Sequence, residues 1–114
     1  MSHERFESVI EALNQCALDC IHCETSCLEE MNVEEMVRCI KLDRECAETC
    51  LFSAKMLATD PEHSADILNL CAKICDLCGD ECEKHASHME HCKVCAETCR
   101  ECAKECRSFA KVNV

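Results

Sequence analysis

Four stretches of the chain put an apolar or sulfur-bearing side chain at every third or fourth position, with charged and polar side chains between. Steps of three and four keep side chains on one face of an α-helix, because a turn takes 3.6 residues. The first stripe runs Phe6, Val9, Leu13, Cys16, Cys20, Cys23, Cys27, and the second Met36, Cys39, Asp43, Cys46, Cys50, Ser53, Leu57. The third passes from Ile67 or Leu68 through Cys71, Cys75, Cys78 and Cys82. The fourth holds Cys92, Cys95, Cys99, Cys102, Cys106 and Phe109. The pattern predicts amphipathic helices over about 4–28, 33–58, 61–85 and 88–111, in one domain spanning 1–114.

Start signals support these bounds. Ser2 is a candidate N-cap, Asn32 with Glu35 and Ser87 with Glu90 read as capping boxes, and Asp60-Pro61-Glu62 combines a cap with a first-turn proline. Connections of a few residues make neighbouring helices antiparallel. The expected fold is therefore all-α: an up-down-up-down four-helix bundle with a cysteine-lined core.

That topology gives the bundle two unlike ends. Phe6, Val9, Leu13, Leu57, Ile67 or Leu68, and Phe109 gather at one end as a plug that excludes water. At the other end the stripes meet Met36, His85 and His88, with Met31, Met89 and His91 nearby.

Composition sharpens the reading. Sixteen of 114 residues are cysteine, against three Phe and no Trp or Tyr, so thiols stand where a soluble helix normally carries leucine. The net charge of −11 argues against a nucleic-acid partner and for a solubilising acidic surface. MSHERFESVIEAL has no basic segment leading into an apolar one, so no signal peptide is expected. No apolar run approaches the roughly 20 residues that span a bilayer. A cytoplasmic location follows as the expectation, and with it reduced thiols. Cysteines one turn apart on one helix are also poorly placed to staple distant loops, so metal binding is preferred to disulfides.

Seven Cys-x-x-x-Cys units occur, at 16/20, 23/27, 46/50, 71/75, 78/82, 95/99 and 102/106. Residues at i and i+4 have Cβ atoms roughly 5–6 Å apart, so two sulfurs can converge on one ion in near-linear coordination. That suits Cu(I), a soft ion that selects thiolates. Zinc asks for four ligands in a tetrahedron, and a continuous ladder offers no separated tetrahedra. Without metal the thiols must stay mostly neutral, packing as small hydrophobes, so a folded apo bundle is expected and loading releases protons. Two exclusive thiolates per ion allow roughly 8 Cu(I), and bridging sulfurs raise that to about one per cysteine.

Other readings fit less well. An iron–sulfur protein would wrap a C-x₂-C-x₂-C-x₃-C-P run around its cluster, and no proline follows any cysteine here. A thiol oxidoreductase would place one C-x-x-C beside a βαβ pattern, whereas the C-x-x-C pairs here are diagonals of the same ladder. A transfer chaperone needs one exposed site for ligand exchange. Cysteine as mere core filler does not account for three unbroken runs. A zinc or mixed-metal thiolate buffer, metallothionein-like, is the main alternative.

The helical Cys-x-x-x-Cys ladders, the missing export signal and the histidine fringe resemble the cytosolic copper storage proteins, over nearly the whole chain. The resemblance implies multiple Cu(I) ions held along the bundle interior by pairs of cysteines, tetrameric assembly of bundles, and storage rather than catalysis. The expected function is high-capacity cytosolic storage and detoxification of Cu(I). The expected ligands are all sixteen cysteines, with His85 and His88 in register at the mouth and His91 and Met36 ranked behind them. Met31 and Met89 read as packing or surface residues. Asp43 interrupts the second ladder. A hard carboxylate suits Cu(I) poorly, so a structural hydrogen-bonding role is expected for it. His3, His22 and His63 lie off the stripe or at the wrong end and are expected at the surface.

Overall fold

The computed structural model describes residues 3–112. Four α-helices account for most of them: α1 Glu7–Leu28, α2 Val37–Leu57, α3 Ser64–Glu83 and α4 Glu90–Val112, with no strand among the described residues. They run alternately up and down in a rod of 47 × 19 × 17 Å. α1 packs against α2 and α4, and α3 packs against the same two, so the helices close around one shared axis.

The helices start later than the caps suggest. A 3₁₀ turn at His3–Phe6 precedes α1, and another at Val33–Met36 precedes α2. At Asn32 the backbone does the capping: the Glu35 N–H donates to the Asn32 carbonyl oxygen at 3.0 Å, and the Asn32 side chain makes no cap bond. Asp60 has a φ of +54°, a left-handed conformation that Asp tolerates better than most residues. Its carboxylate accepts from Arg5 at 2.8 Å instead of capping a helix. This turn delays α3 from 61 to Ser64, with His63 at the cap position. Ser87 shares a 3.4 Å hydrogen bond with His88 Nδ1, and α4 opens at Glu90 rather than 88. At their far ends α2 stops at Leu57 and α3 at Glu83, while α4 reaches Val112. Ser2 lies outside the described residues.

The plug forms as the stripes predict. Phe6, Val9, Leu13, Leu57, Ile67 and Leu68 are buried, and the ring of Phe109 stands 6.3 Å from that of Phe6. Beside the thiol stripes lie buried alanines, Ala17, Ala47, Ala72, Ala96 and Ala103, whose small side chains let the helices draw together. Gly79 serves α3 and α4 likewise: a Cβ there would meet Arg100 Nη1 at 3.3 Å and the Cys99 Cβ at 3.4 Å. On α3 a second apolar row, Ile67, Leu70, Ile74 and Leu77, lies one position off the thiols, and its members divide. Ile67 is buried and Ile74 packs on the core, whereas Leu70 and Leu77 are exposed.

Polar contacts run along the outside. Arg44 meets Glu24 at 2.9 Å, Arg107 meets Asp76 at 2.6 Å, and Arg100 reaches both Asp80 and Glu83. Such exposed pairs stabilise by about 0–1 kcal/mol each, so the seams rest on burial. No helix among the described residues is long and apolar enough to cross a membrane.

Candidate metal centre

Every cysteine is a free thiol, and all sixteen are buried. Their sulfurs meet mostly across the seams between helices rather than along single helices. Near the plug, Cys50 lies 3.7 Å from Cys71 and 3.8 Å from Cys75, and Cys46 lies 3.7 Å from Cys75. In the middle, Cys16 and Cys20 each stand 3.8 Å from Cys99, and Cys20 is 3.8 Å from Cys95. Toward the histidine-fringed end opposite the plug, the open end, Cys39 and Cys82 make the shortest of these contacts at 3.6 Å, with Cys27 to Cys39 and Cys23 to Cys92 at 3.9 Å. With metal–thiolate bonds of about 2.3 Å, one ion between two sulfurs separates them by about 3.7–4.6 Å, depending on the angle. The contacts sit at the short end of that range, within reach of small side-chain rotations.

Four-sulfur groups form along the column. They include Cys16/Cys46/Cys50/Cys75, Cys16/Cys20/Cys46/Cys99, Cys20/Cys78/Cys95/Cys99 and Cys23/Cys27/Cys39/Cys92, the ligand atoms of each lying within 4.8 Å of one another. The reason is tertiary: ladders on several helices converge on one axis. The groups are not separate, however. Cys16 and Cys46 belong to two of them, and so do Cys20 and Cys99. Filling one with a four-coordinate ion strips ligands from the next, so full use of the column requires ions of low coordination number or bridging sulfurs.

Asp43 sits inside this column, fully buried. Its Oδ1 accepts from the thiols of Cys78 at 3.2 Å, Cys95 at 3.4 Å and Cys82 at 3.6 Å, and its Oδ2 faces Cys39 at 3.8 Å. Burial first, then the negative charge that Cys95, Cys78 and Cys39 can carry, pushes this carboxyl up to about 12. The metal-free protein thus holds a neutral carboxyl inside the thiol column. Burial opposes ionisation of the thiols as well. Cys102, Cys71 and burial push Cys106 up, while Cys16, Cys46, Cys78, Cys95 and burial push Cys20 up.

At the open end the histidines divide differently from the sequence reading. His91 meets the thiols: its Nδ1 lies 3.5 Å from both Cys23 and Cys92 and 4.0 Å from Cys27. Its Nε2 is 2.9 Å from Glu30. His85 instead pairs with Glu81 at 3.2 Å and stands edge-on to His88, which is exposed. Extrapolating the stripes past Cys82 and back from Cys92 assumes continuous helix, but α3 ends at Glu83 and α4 opens at Glu90, leaving His85 and His88 in the turn. His91, one residue off the stripe in the first turn of α4, reaches sideways over α1. Its chain neighbour Cys92 was the available signal. Met36 is fully buried and Met89 packs on the core, whereas Met31 is exposed, as are His22 and His63. The side chain of His3 lies outside the described residues.

Glu81 is a further polar residue that the periodicity does not reveal. Though buried, it takes Arg38 from α2 at 3.2 Å and Lys84 at 3.1 Å as well as His85. It thereby clasps the α2–α3 seam beside the Cys39–Cys82 pair.

Comparison with known proteins agrees with this architecture. The uncharacterized cysteine-rich protein YhjQ of Bacillus subtilis (strain 168) is 47% identical over 69 residues, 60% of this chain and 64% of that protein. The match thus spans a little under two thirds of that relative's length. A cytosolic copper storage protein from Streptomyces lividans, solved with five coppers, superposes with a TM-score of 0.91 at 36% identity, over 96% of this chain and 95% of that one. The Cu(I)-bound copper storage protein BsCsp3 superposes with a TM-score of 0.87 at 45% identity, over 93% and 98%. The family model for copper storage proteins matches residues 2–111. With the fold, the thiol column and this match in agreement, the chain belongs to the copper storage protein family.

Proposed function

We propose that this protein stores Cu(I) at high capacity in the cytosol, keeping the ion from harming the cell, and that it is not an enzyme. The observation that carries this reading is the sharing of sulfurs among overlapping, fully buried four-thiol groups. A chain built for a few tetracoordinate ions would keep its ligand sets distinct, whereas a continuous soft column accommodates many ions of low coordination number. All sixteen cysteines serve as ligands in this reading. His91 receives ions at the open end, with His85 and His88 on the outer rim, because the plugged end offers an ion no ligand to step onto. Assembly into a homotetramer belongs to the same reading and rests on the family resemblance.

The four-sulfur groups also suit zinc, one group at a time, and the test separates the two. Reduced, metal-free protein is titrated anaerobically with Cu(I) against a competing chelator, then challenged with zinc. Saturation at roughly 8 ions or more per chain, undisturbed by zinc, is the expected result. Saturation at one to three ions overturns storage, and displacement of Cu(I) by zinc favours the buffer.

A further inference from the structure

We propose that Glu30 is the positioning residue of the open end: its carboxylate fixes the His91 imidazole so that the Nδ1 lone pair stands over Cys23 and Cys92. The proposal rests on the copper-storage reading for its purpose, but its geometric part stands alone.

Glu30 lies just beyond the end of α1, where its N–H closes the last turn on the Cys27 carbonyl oxygen at 3.2 Å. From there its Oε2 reaches across to α4 and meets His91 Nε2 at 2.9 Å. The imidazole is mostly shielded, with 12% of its side chain exposed against 33% for Glu30. A carboxylate only accepts hydrogen bonds, so the nitrogen facing it carries the hydrogen. In a neutral ring the other nitrogen is then a lone pair, and that nitrogen is the one 3.5 Å from two thiols. Carboxylate, imidazole and sulfur stand in the order that metal proteins use to set a histidine's tautomer, direction and basicity. The other histidine–glutamate pair of this end, His85 with Glu81, differs: that carboxylate is shared with Arg38 and Lys84. The pair at Glu30 is thus the one whose geometry delivers a ligand atom to the thiol column. A purely structural clasp across the α1–α4 seam would need neither this ring orientation nor this tautomer.

The test has two readouts on the full chain. In reduced, metal-free protein, long-range ¹H–¹⁵N spectra should show wild-type His91 as the Nε2–H tautomer, and Glu30→Ala should turn it into a mixture. Cu(I) is then presented as its bicinchoninate complex and transfer is followed by stopped flow. Glu30→Ala should slow the first phase about tenfold, the low end of what removing such a partner does, because Glu30 is partly exposed. Glu30→Gln, whose carbonyl oxygen can still accept from Nε2–H, should recover most of the rate. In a His91→Ala background Glu30→Ala should add nothing, since the effect passes through the ring. An Nδ1–H tautomer in wild type overturns the proposal, as does an unchanged rate in Glu30→Ala or an equal slowing with and without His91. Failure of the wild type to take up copper would instead strike the storage reading and leave the tautomer result standing.

Discussion

Replacing Asp43 by asparagine should stabilise the metal-free protein, and by an amount that depends on pH. Asp43 is fully buried, and its carboxyl is pushed up to about 12 from an ordinary 3.8. The folded state therefore keeps a proton that the unfolded chain releases above about pH 4, and stability must fall as pH rises through that window. Each unit above the ordinary value costs the fold about 1.4 kcal/mol, so the penalty reaches about 4 kcal/mol at pH 7. Asparagine keeps an oxygen for the thiols of Cys78, Cys95 and Cys82 and has no proton to lose. The Asp43→Asn advantage should be near zero at pH 4 and grow to about 4 kcal/mol at pH 7. Over this range the free cysteines of the unfolded chain stay protonated, and both proteins carry the same sixteen thiols, so the comparison reads the difference at position 43. Urea unfolding of both proteins, reduced and chelator-treated, followed by circular dichroism at several pH values, measures it. An advantage that is constant with pH, or that grows toward acid, would show that Asp43 is ionised in the fold and refute the reasoning.

Three further outcomes follow from the arrangement of the core. Cys46→Ala removes a sulfur shared by two groups, so copper at saturation should drop by more than the single ion expected for an unshared ligand; a loss of one ion or none, read by anaerobic titration, counts against shared coordination. The metal-free protein should be strongly helical by circular dichroism, and Leu57→Ala in the plug should lower its stability by about 2–5 kcal/mol while leaving its copper capacity in place. A random-coil spectrum that turns helical only with copper would show instead that metal drives folding.

Periodicity determined the helices, and the short connections between them added the bundle and the contrast between its ends. Spacings of three and four write directly onto a helix face, and Phe6, Leu13, Leu57 and Phe109 extend the same register into the plug. The thiol stripes were equally legible, because one face of each helix must turn inward. Helix ends were not. Asn32, Asp60 and Ser87 look like caps, but whether a side chain caps depends on its partners in space. Asp60 meets Arg5, 55 positions away, and Ser87 meets His88. Those displaced ends in turn moved His85 and His88 off the stripes.

Cross-helix geometry belonged to the tertiary structure throughout. A sequence lists Cys16, Cys46, Cys50 and Cys75 on three helices, but their convergence depends on the relative height and rotation of those helices. Side-chain packing at the alanines and Gly79 sets both. The neutral state of Asp43 depends on the same convergence, since burial and three facing thiols raise its pKa and none of them adjoins it in the chain. His91 becomes a neighbour of Cys23 only because α4 lies beside α1, with Glu30 reaching across the end of the seam. Register along one helix is a local property of the backbone. Distances between helices come from packing, which four stripes read separately do not contain.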